Sequence, residues 1–143
     1  MNINVQMNPC FKEVDRNRKR YIVMKGSAGS GKSVDTAQNY ILRLMNDKGR
    51  NLVAMRKSDI SNRDSTFAEL TGALYRMFGD KYEQYWRINK SPMSLTFKPN
   101  GNQIIFRGMN DDRQREKLKS ITFPRGKLTD VWLEEATEFT QAD

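Results

Sequence analysis

Apolar and polar residues change their spacing several times along this chain, and each change marks an element. Tyr21 to Lys25 (YIVMK) is a short apolar run between the charged stretch RNRKR and a glycine-rich turn, and it reads as a buried strand. From Lys32 to about Asp47, Val34, Ala37, Ile41, Leu44 and Met45 recur at helical spacing, and Gly49 supplies a stop. Leu52 to Arg56 (LVAMR) predicts a second strand. Phe67, Leu70, Ala73, Leu74, Met77 and Phe78 outline a second amphipathic helix, closed by Gly79. Between Met93 and Arg107, two strand-like runs flank Pro99-Asn100-Gly101, the chemistry of a tight hairpin. The charged stretch Asp111 to Ser120 (DDRQREKLKS) leans to helix, and Thr129 to Leu133 forms a last strand running into Glu134 and Glu135. Alternating strands and helices predict an α/β fold with a mainly parallel sheet flanked by helices, and the hairpin adds to it antiparallel.

Length and composition narrow the picture. A chain of 143 residues suits one domain or part of one. Lys and Arg number 25 against 17 Asp and Glu, a net charge of +8 that favours a polyanionic partner, nucleic acid first, or else simply keeps the surface solvated. Cys10 is the single cysteine and histidine is absent, so an internal disulfide and a zinc site are excluded. The apolar runs are too short for a signal peptide or a membrane span, which predicts a soluble intracellular protein. Tyr82, Tyr85 and Trp86 sit at a spacing expected of core, and no base-stacking role is assigned to them.

The stretch GSAGSGKS carries the chemistry. Gly26, Gly31, Lys32 and Ser33 fit G-x-x-x-x-G-K-[ST], with Ser27, Ala28, Gly29 and Ser30 between them, after an apolar run and before an amphipathic helix. Glycines let successive amides turn toward phosphate oxygens, and the helix N-terminus adds partial positive charge. Lys32 is expected on the β- and γ-phosphates and the Ser33 hydroxyl on Mg²⁺. Hydrolysis needs carboxylates as well, and VWLEEA supplies them at the carboxyl edge of the sheet, where ligands of open α/β sheets sit. Glu134 is assigned to Mg²⁺ and Glu135 to the attacking water. Asn89-Lys90-Ser91-Pro92 lacks the acid that grips guanine, so ATP is the expected nucleotide.

The runs YIVMKGSAGSGKS, LVAMRKSDISNRDSTFAEL, IIFRGMNDDRQREKLKSI and LTDVWLEEATEF together resemble the N-terminal ATPase region of the large terminase subunit of tailed bacteriophages, from about Asn8 to Asp143. That resemblance implies a P-loop NTPase fold of the ASCE type and a motor that drives double-stranded DNA into a procapsid at the expense of ATP. It implies a homo-oligomeric ring when full length, the portal protein and the small terminase subunit as partners, and the host cytoplasm as the place of work. On the matching positions, Lys32 and Ser33 become the phosphate and metal residues, Glu134 the metal-side carboxylate and Glu135 the catalytic glutamate. Many relatives carry arginine in the loop where this chain has Ala28, so Arg56, Arg107, Arg113 and Arg115 stand as candidates for a charge-stabilising finger.

The chain divides into an N-terminal basic segment, residues 1–20, and an ATPase domain, residues 21–143. Thr140-Gln-Ala-Asp143 has the spacing of a helix capping box with no helix after it, and such terminases continue into a coupling motif and a nuclease domain. An incomplete ATPase domain is therefore expected. Two other readings stay open: another DNA-dependent ATPase of helicase or recombinase type, and a remnant that binds without turnover.

Overall fold

The computed structural model describes residues 1–141, and of Asp112 only the backbone. Its helices are α1 (Lys12–Arg16), α2 (Lys32–Asn46), α3 (Asp59–Asn62), α4 (Ala68–Phe78), α5 (Tyr82–Tyr85) and α6 (Asp112–Lys119). Five strands, β1 (Leu52–Met55), β2 (Trp86–Lys90), β3 (Met93–Phe97), β4 (Gln103–Arg107) and β5 (Asp130–Leu133), form one sheet in the order β2-β3-β4-β1-β5. β1 runs parallel to β4 and β5, whereas β3 runs antiparallel to both β2 and β4. The sheet is therefore mixed and not mainly parallel, because the hairpin supplies a sheet strand, β4, and extends through β3 to β2. The sequence pattern did not reveal β2, since only Trp86 and Ile88 turn inward from it and Arg87, Asn89 and Lys90 face solvent.

The expected strand at Tyr21–Lys25 does not form. These residues join no ladder, and Tyr21 and Val23 are 76% and 90% exposed. A β-branched run becomes a strand only where a neighbour pairs with its backbone, and none of the five strands does so. Met24 alone turns inward, its sulfur taking a contact from the Thr36 hydroxyl at 3.5 Å.

Strand alternation builds two layers of core. Leu52, Ala54, Ile104, Phe106, Leu95 and Trp132 face α2 and α4, whose Ile41, Leu44, Leu70 and Leu74 are fully buried. Val53, Met55 and Ile105 point to the opposite face, where Met109, Leu118, Ile121 and Phe123 cover them. That second layer does not extend to β5, so Val131 and Leu133 are each 47% exposed. The N-terminus packs on the first layer: Ile3 and Val5 touch the core, and the Asn4 amide donates to the Met77 carbonyl at 2.8 Å.

Three buried asparagines hold the strand ends together. Asn51 donates to the carbonyls of Arg125 and Lys127 and accepts from the Gln103 amide. Asn102 accepts from the Gly49 amide and donates to the carbonyls of Leu44 and Asp47, closing the end of α2. Asn62 donates to Ala54 and Arg107, joining β1 and β4 near their carboxyl ends. Each meets backbone groups that ladders and helices leave unpaired, which is why an amide side chain tolerates full burial there.

α3 and α4 are joined through a π-helical turn, Arg63–Phe67, so the helical stretch begins at Asp59 and not at Phe67. Ser58 starts it by accepting from the Ser61 amide at 3.0 Å. Gly108 lets the end of β4 approach this start closely: a Cβ there would lie 2.7 Å from the Asp59 nitrogen. The expected capping box at Thr140 includes Ala142 and Asp143, which lie outside the described residues. Among the described residues, no helix is long and apolar enough to cross a membrane.

Candidate functional site

Gly26 to Ser33 form a turn that opens directly into α2. Gly29 and Gly31 adopt φ of 74° and 85°, a left-handed backbone that side-chain-bearing residues rarely take, which explains why glycine stands at both places. Space around Gly29 is open, with nothing within 4 Å of the position a Cβ would occupy. The Lys32 ammonium folds back over the turn, donating to the Gly26 carbonyl at 2.8 Å, the Ser27 carbonyl at 2.9 Å and the Ser30 hydroxyl at 2.9 Å. Ala28 carries no side-chain donor, and these contacts direct the Lys32 ammonium at the turn.

Across the sheet edge, β5 delivers its acids. The Glu134 amide donates to the Met55 carbonyl at 3.1 Å, which fixes the chain just past β5 against the end of β1. There the Ser33 hydroxyl donates to Glu134 Oε1 at 2.6 Å, joining residues 101 positions apart. A cavity of about 310 Å³ opens beside this contact, lined by Ser33, Glu134, Trp132, Asp64, Ser65 and Thr66 among others. Trp132 forms its inner wall and stacks on Tyr40 of α2 with ring centroids 6.2 Å apart.

Glu135 is the only non-glycine among the described residues with positive φ, at 51°. Its side chain is exposed, and a 3₁₀ turn, Ala136–Glu138, follows with the Glu138 amide donating to the Glu135 carbonyl at 2.9 Å. Left-handed backbone at a glutamate costs on the order of 1 kcal/mol and persists only where surroundings enforce it. Arg56 is placed to do that. Its Nε and Nη2 donate to the two Glu138 oxygens at 3.1 and 2.7 Å, and its Nη1 donates to the Ser65 hydroxyl at 2.9 Å. The paired guanidinium holds the Glu138 carboxyl below the usual carboxylate range, and in turn Glu138, with Glu135 and Glu134 further off, holds Arg56 more firmly protonated.

The four arginines weighed as fingers therefore part company. Arg56 lies beside the acids but is clamped to Glu138, whereas Arg107 lines a separate cavity at the end of β4. Arg113 and Arg115 lie on α6, the first exposed and the second half-buried. Sequence reasoning missed the clamp through Glu138, the contribution of Ser65 and Thr66, and the acids Asp64 and Glu69 near Glu134. Only proximity in space distinguishes these residues from other polar surface positions.

Fold and site together describe an α/β protein with a helix-flanked sheet, a glycine-rich turn opening a helix, and one acid, Glu134, reaching the Ser33 end of that turn from just past β5. The phage terminase large subunit family matches residues 18–143, and the chain belongs to it. It is 32% identical over 142 residues to the terminase large subunit of Bacillus phage SPP1, covering 96% of this chain and 32% of that protein. It is 31% identical over 139 residues to the PBSX phage terminase large subunit of Bacillus subtilis (strain 168), covering 93% of this chain and 28% of that protein. The chain thus spans about a third of the length of these curated relatives.

Proposed function

We propose that this chain is the P-loop, ASCE-type ATPase part of a phage DNA-packaging motor, hydrolysing ATP with Mg²⁺ to move double-stranded DNA. The observation that carries the reading is the Ser33–Glu134 contact of 2.6 Å, which brings the glycine-rich turn and the acidic strand end to one point. The donor set suits the metal: a hydroxyl and a carboxylate are hard oxygen ligands, and both can turn from each other to a divalent cation between them. The turn suits triphosphate, since the space around Gly29 is open and α2 begins at Lys32.

In this reading Gly26, Ser27, Ala28, Gly29, Ser30 and Gly31 present backbone to the phosphates. Lys32 exchanges its bonds to the Gly26 and Ser27 carbonyls for phosphate oxygens. Ser33 and Glu134 hold Mg²⁺, which when bound neutralises charge on the transferred group. Glu135, exposed and in left-handed backbone just past β5, accepts the proton of the attacking water. Family membership supports DNA, a portal protein and a small terminase subunit as partners and a ring as the working assembly, in the cytoplasm of the host.

ATP turnover by this chain, with and without duplex DNA, tests the proposal beside Lys32→Ala and Glu135→Gln. Each substitution is expected to lower turnover by about a hundredfold or more. Glu135→Gln hydrolysing at the parental rate removes the catalytic assignment, and nucleotide binding without turnover by the parent favours a binding remnant.

A further inference from the structure

A second cavity, of about 350 Å³, lies at the end of β4 and carries charge that nucleotide chemistry does not use. Four cations line it, each from a different element: Arg63 from the π-helical turn, Lys90 from the end of β2, Arg107 from the end of β4 and Lys117 from α6. Against them stands the Asp59 carboxylate, whose oxygens are already engaged. Its Oδ1 accepts from the Gly108 amide at 2.7 Å and its Oδ2 from Gln114 Nε2 at 3.1 Å. Arg63, Lys90 and Lys117 form no ion pair among the described residues, and all three are exposed.

Like charges gathered around one cavity repel, and an acid at one wall offsets only one of them. What lines the cavity offers positive charge and no stacking surface. Gln114 is tied to Asp59, the Gly108 amide is taken, and no exposed aromatic ring lines the cavity. Cationic side chains without free amide donors or a stacking surface suit a charged backbone, sensed by charge and indifferent to sequence. We propose that this cavity is a phosphodiester-binding site for nucleic acid, contacted through Arg63, Lys90, Arg107 and Lys117.

Its position gives the site a second property. The cavity opens at the carboxyl edge of the parallel strands, two strand spacings or about 10 Å from β5. The turn Arg63–Phe67 separates it from the Ser33–Glu134 cavity: Asp59 and Arg63 line one side, and Asp64, Ser65 and Thr66 line the other. Single-turn π-helices inside α-helices occur frequently at functional positions. Here one such turn is the shared wall of a cation-lined cavity and an acid-lined one.

The site rests on the DNA-motor reading only in the choice of duplex as probe. Binding of a fluorescein-labelled duplex is followed by anisotropy across a salt series for the parent, for Arg63→Ala/Lys90→Ala/Lys117→Ala, and for Lys12→Ala/Lys48→Ala/Arg87→Ala as an equal charge change elsewhere on the surface. Each lost phosphate contact lowers the slope of log K against log salt by roughly 0.9, so the cavity variant is expected to lose about 2 to 3 in slope and the control less than 1. Equal losses in both variants, or no duplex binding by the parent at low salt, overturn the proposal. Inorganic pyrophosphate displacing the duplex more strongly than chloride of the same ionic strength also overturns it, by making this a small-anion site. Circular dichroism of both variants confirms the fold. Lys32→Ala is expected to bind duplex with the parental slope while losing nucleotide binding, which separates failure of this site from failure of the ATPase assignment.

Discussion

Replacing Asn51 by alanine tests whether the acidic strand is held in place by a single buried amide. Asn51 is fully buried, and its side chain makes three hydrogen bonds to backbone groups. Its Nδ2 donates to the Arg125 carbonyl at 2.7 Å and the Lys127 carbonyl at 3.0 Å, and its Oδ1 accepts from the Gln103 amide at 2.9 Å. The two carbonyls belong to exposed residues that can regain water, so each bond is worth about 1 kcal/mol, while the Gln103 amide at the start of β4 remains partly buried and costs about 1 to 2 kcal/mol when orphaned. The sum is roughly 3 to 4 kcal/mol. With a urea m value of about 2 kcal/mol/M for a chain of this size, the midpoint falls by about 1.5 to 2 M. Hydrogen exchange locates the loss: protection is expected to drop first in residues 125–130, which lead into β5, because the lost side-chain bonds tied down the Arg125 and Lys127 carbonyls just before Thr129 and Asp130, whose amides still donate to the backbone carbonyl of residue 51. Asn51→Asp is expected to be at least as unstable at neutral pH, since a carboxylate then faces two carbonyls. A midpoint shift below about 0.5 M for the alanine variant, or parental stability for the aspartate variant, refutes the reasoning.

Other predictions rest on other contacts. Asp35, buried at the start of α2 and facing the Asp15 carboxylate, has its pKa raised from 3.8 to about 6 by burial and by that neighbour. A raised acid favours the folded state while protonated, so stability is expected to fall as pH rises from about 4 to 6, and Asp35→Asn should raise the urea midpoint at pH 7.5 but not at pH 4, by about 1 M or less. Glu138→Gln is expected to cost under 1 kcal/mol globally, since its side chain is 36% exposed, yet to speed exchange of its own amide severalfold by releasing the turn after Glu135; unchanged exchange removes the clamp. Because Glu138 titrates below its usual range, the clamp is present at neutral pH and lost as pH falls through the folded-state pKa, so amide protection there should decline in acid. Trp132→Ala is expected to destabilise by about 3 to 5 kcal/mol, read as a lowered thermal midpoint, by emptying the wall shared by Tyr40 and the Ser33–Glu134 cavity.

Period and punctuation in the sequence made much of this molecule legible. Helical spacing matches the buried faces at Ala37, Ile41 and Leu44 of α2 and from Leu70 to Phe78 of α4, although Val34 is 44% exposed and Asp35 is buried beside it; LVAMR and the hairpin runs became β1, β3 and β4. GSAGSGKS and EE stood out because phosphate chemistry requires those residue types at those spacings. What failed has a common cause. YIVMK has strand composition, but composition supplies no pairing partner, and WRINK became β2 with weak composition because β3 paired with it along its whole length. The Asp35–Asp15 pair, the Arg56–Glu138 clamp and the three structural asparagines were invisible for the same reason: each joins residues far apart in sequence through directional contacts that leave no local period.

By itself the sequence determined the helices α2, α4 and α6, where the glycine-rich turn sits and which two acids follow the last strand, since these depend on side chains a few residues apart. Tertiary structure alone decided that the sheet is mixed, that Ser33 meets Glu134 across 101 residues and that four cations from four elements surround one cavity. Strand pairing, ion pairing and cavity shape arise from groups brought together in space, and chain order does not encode their distances.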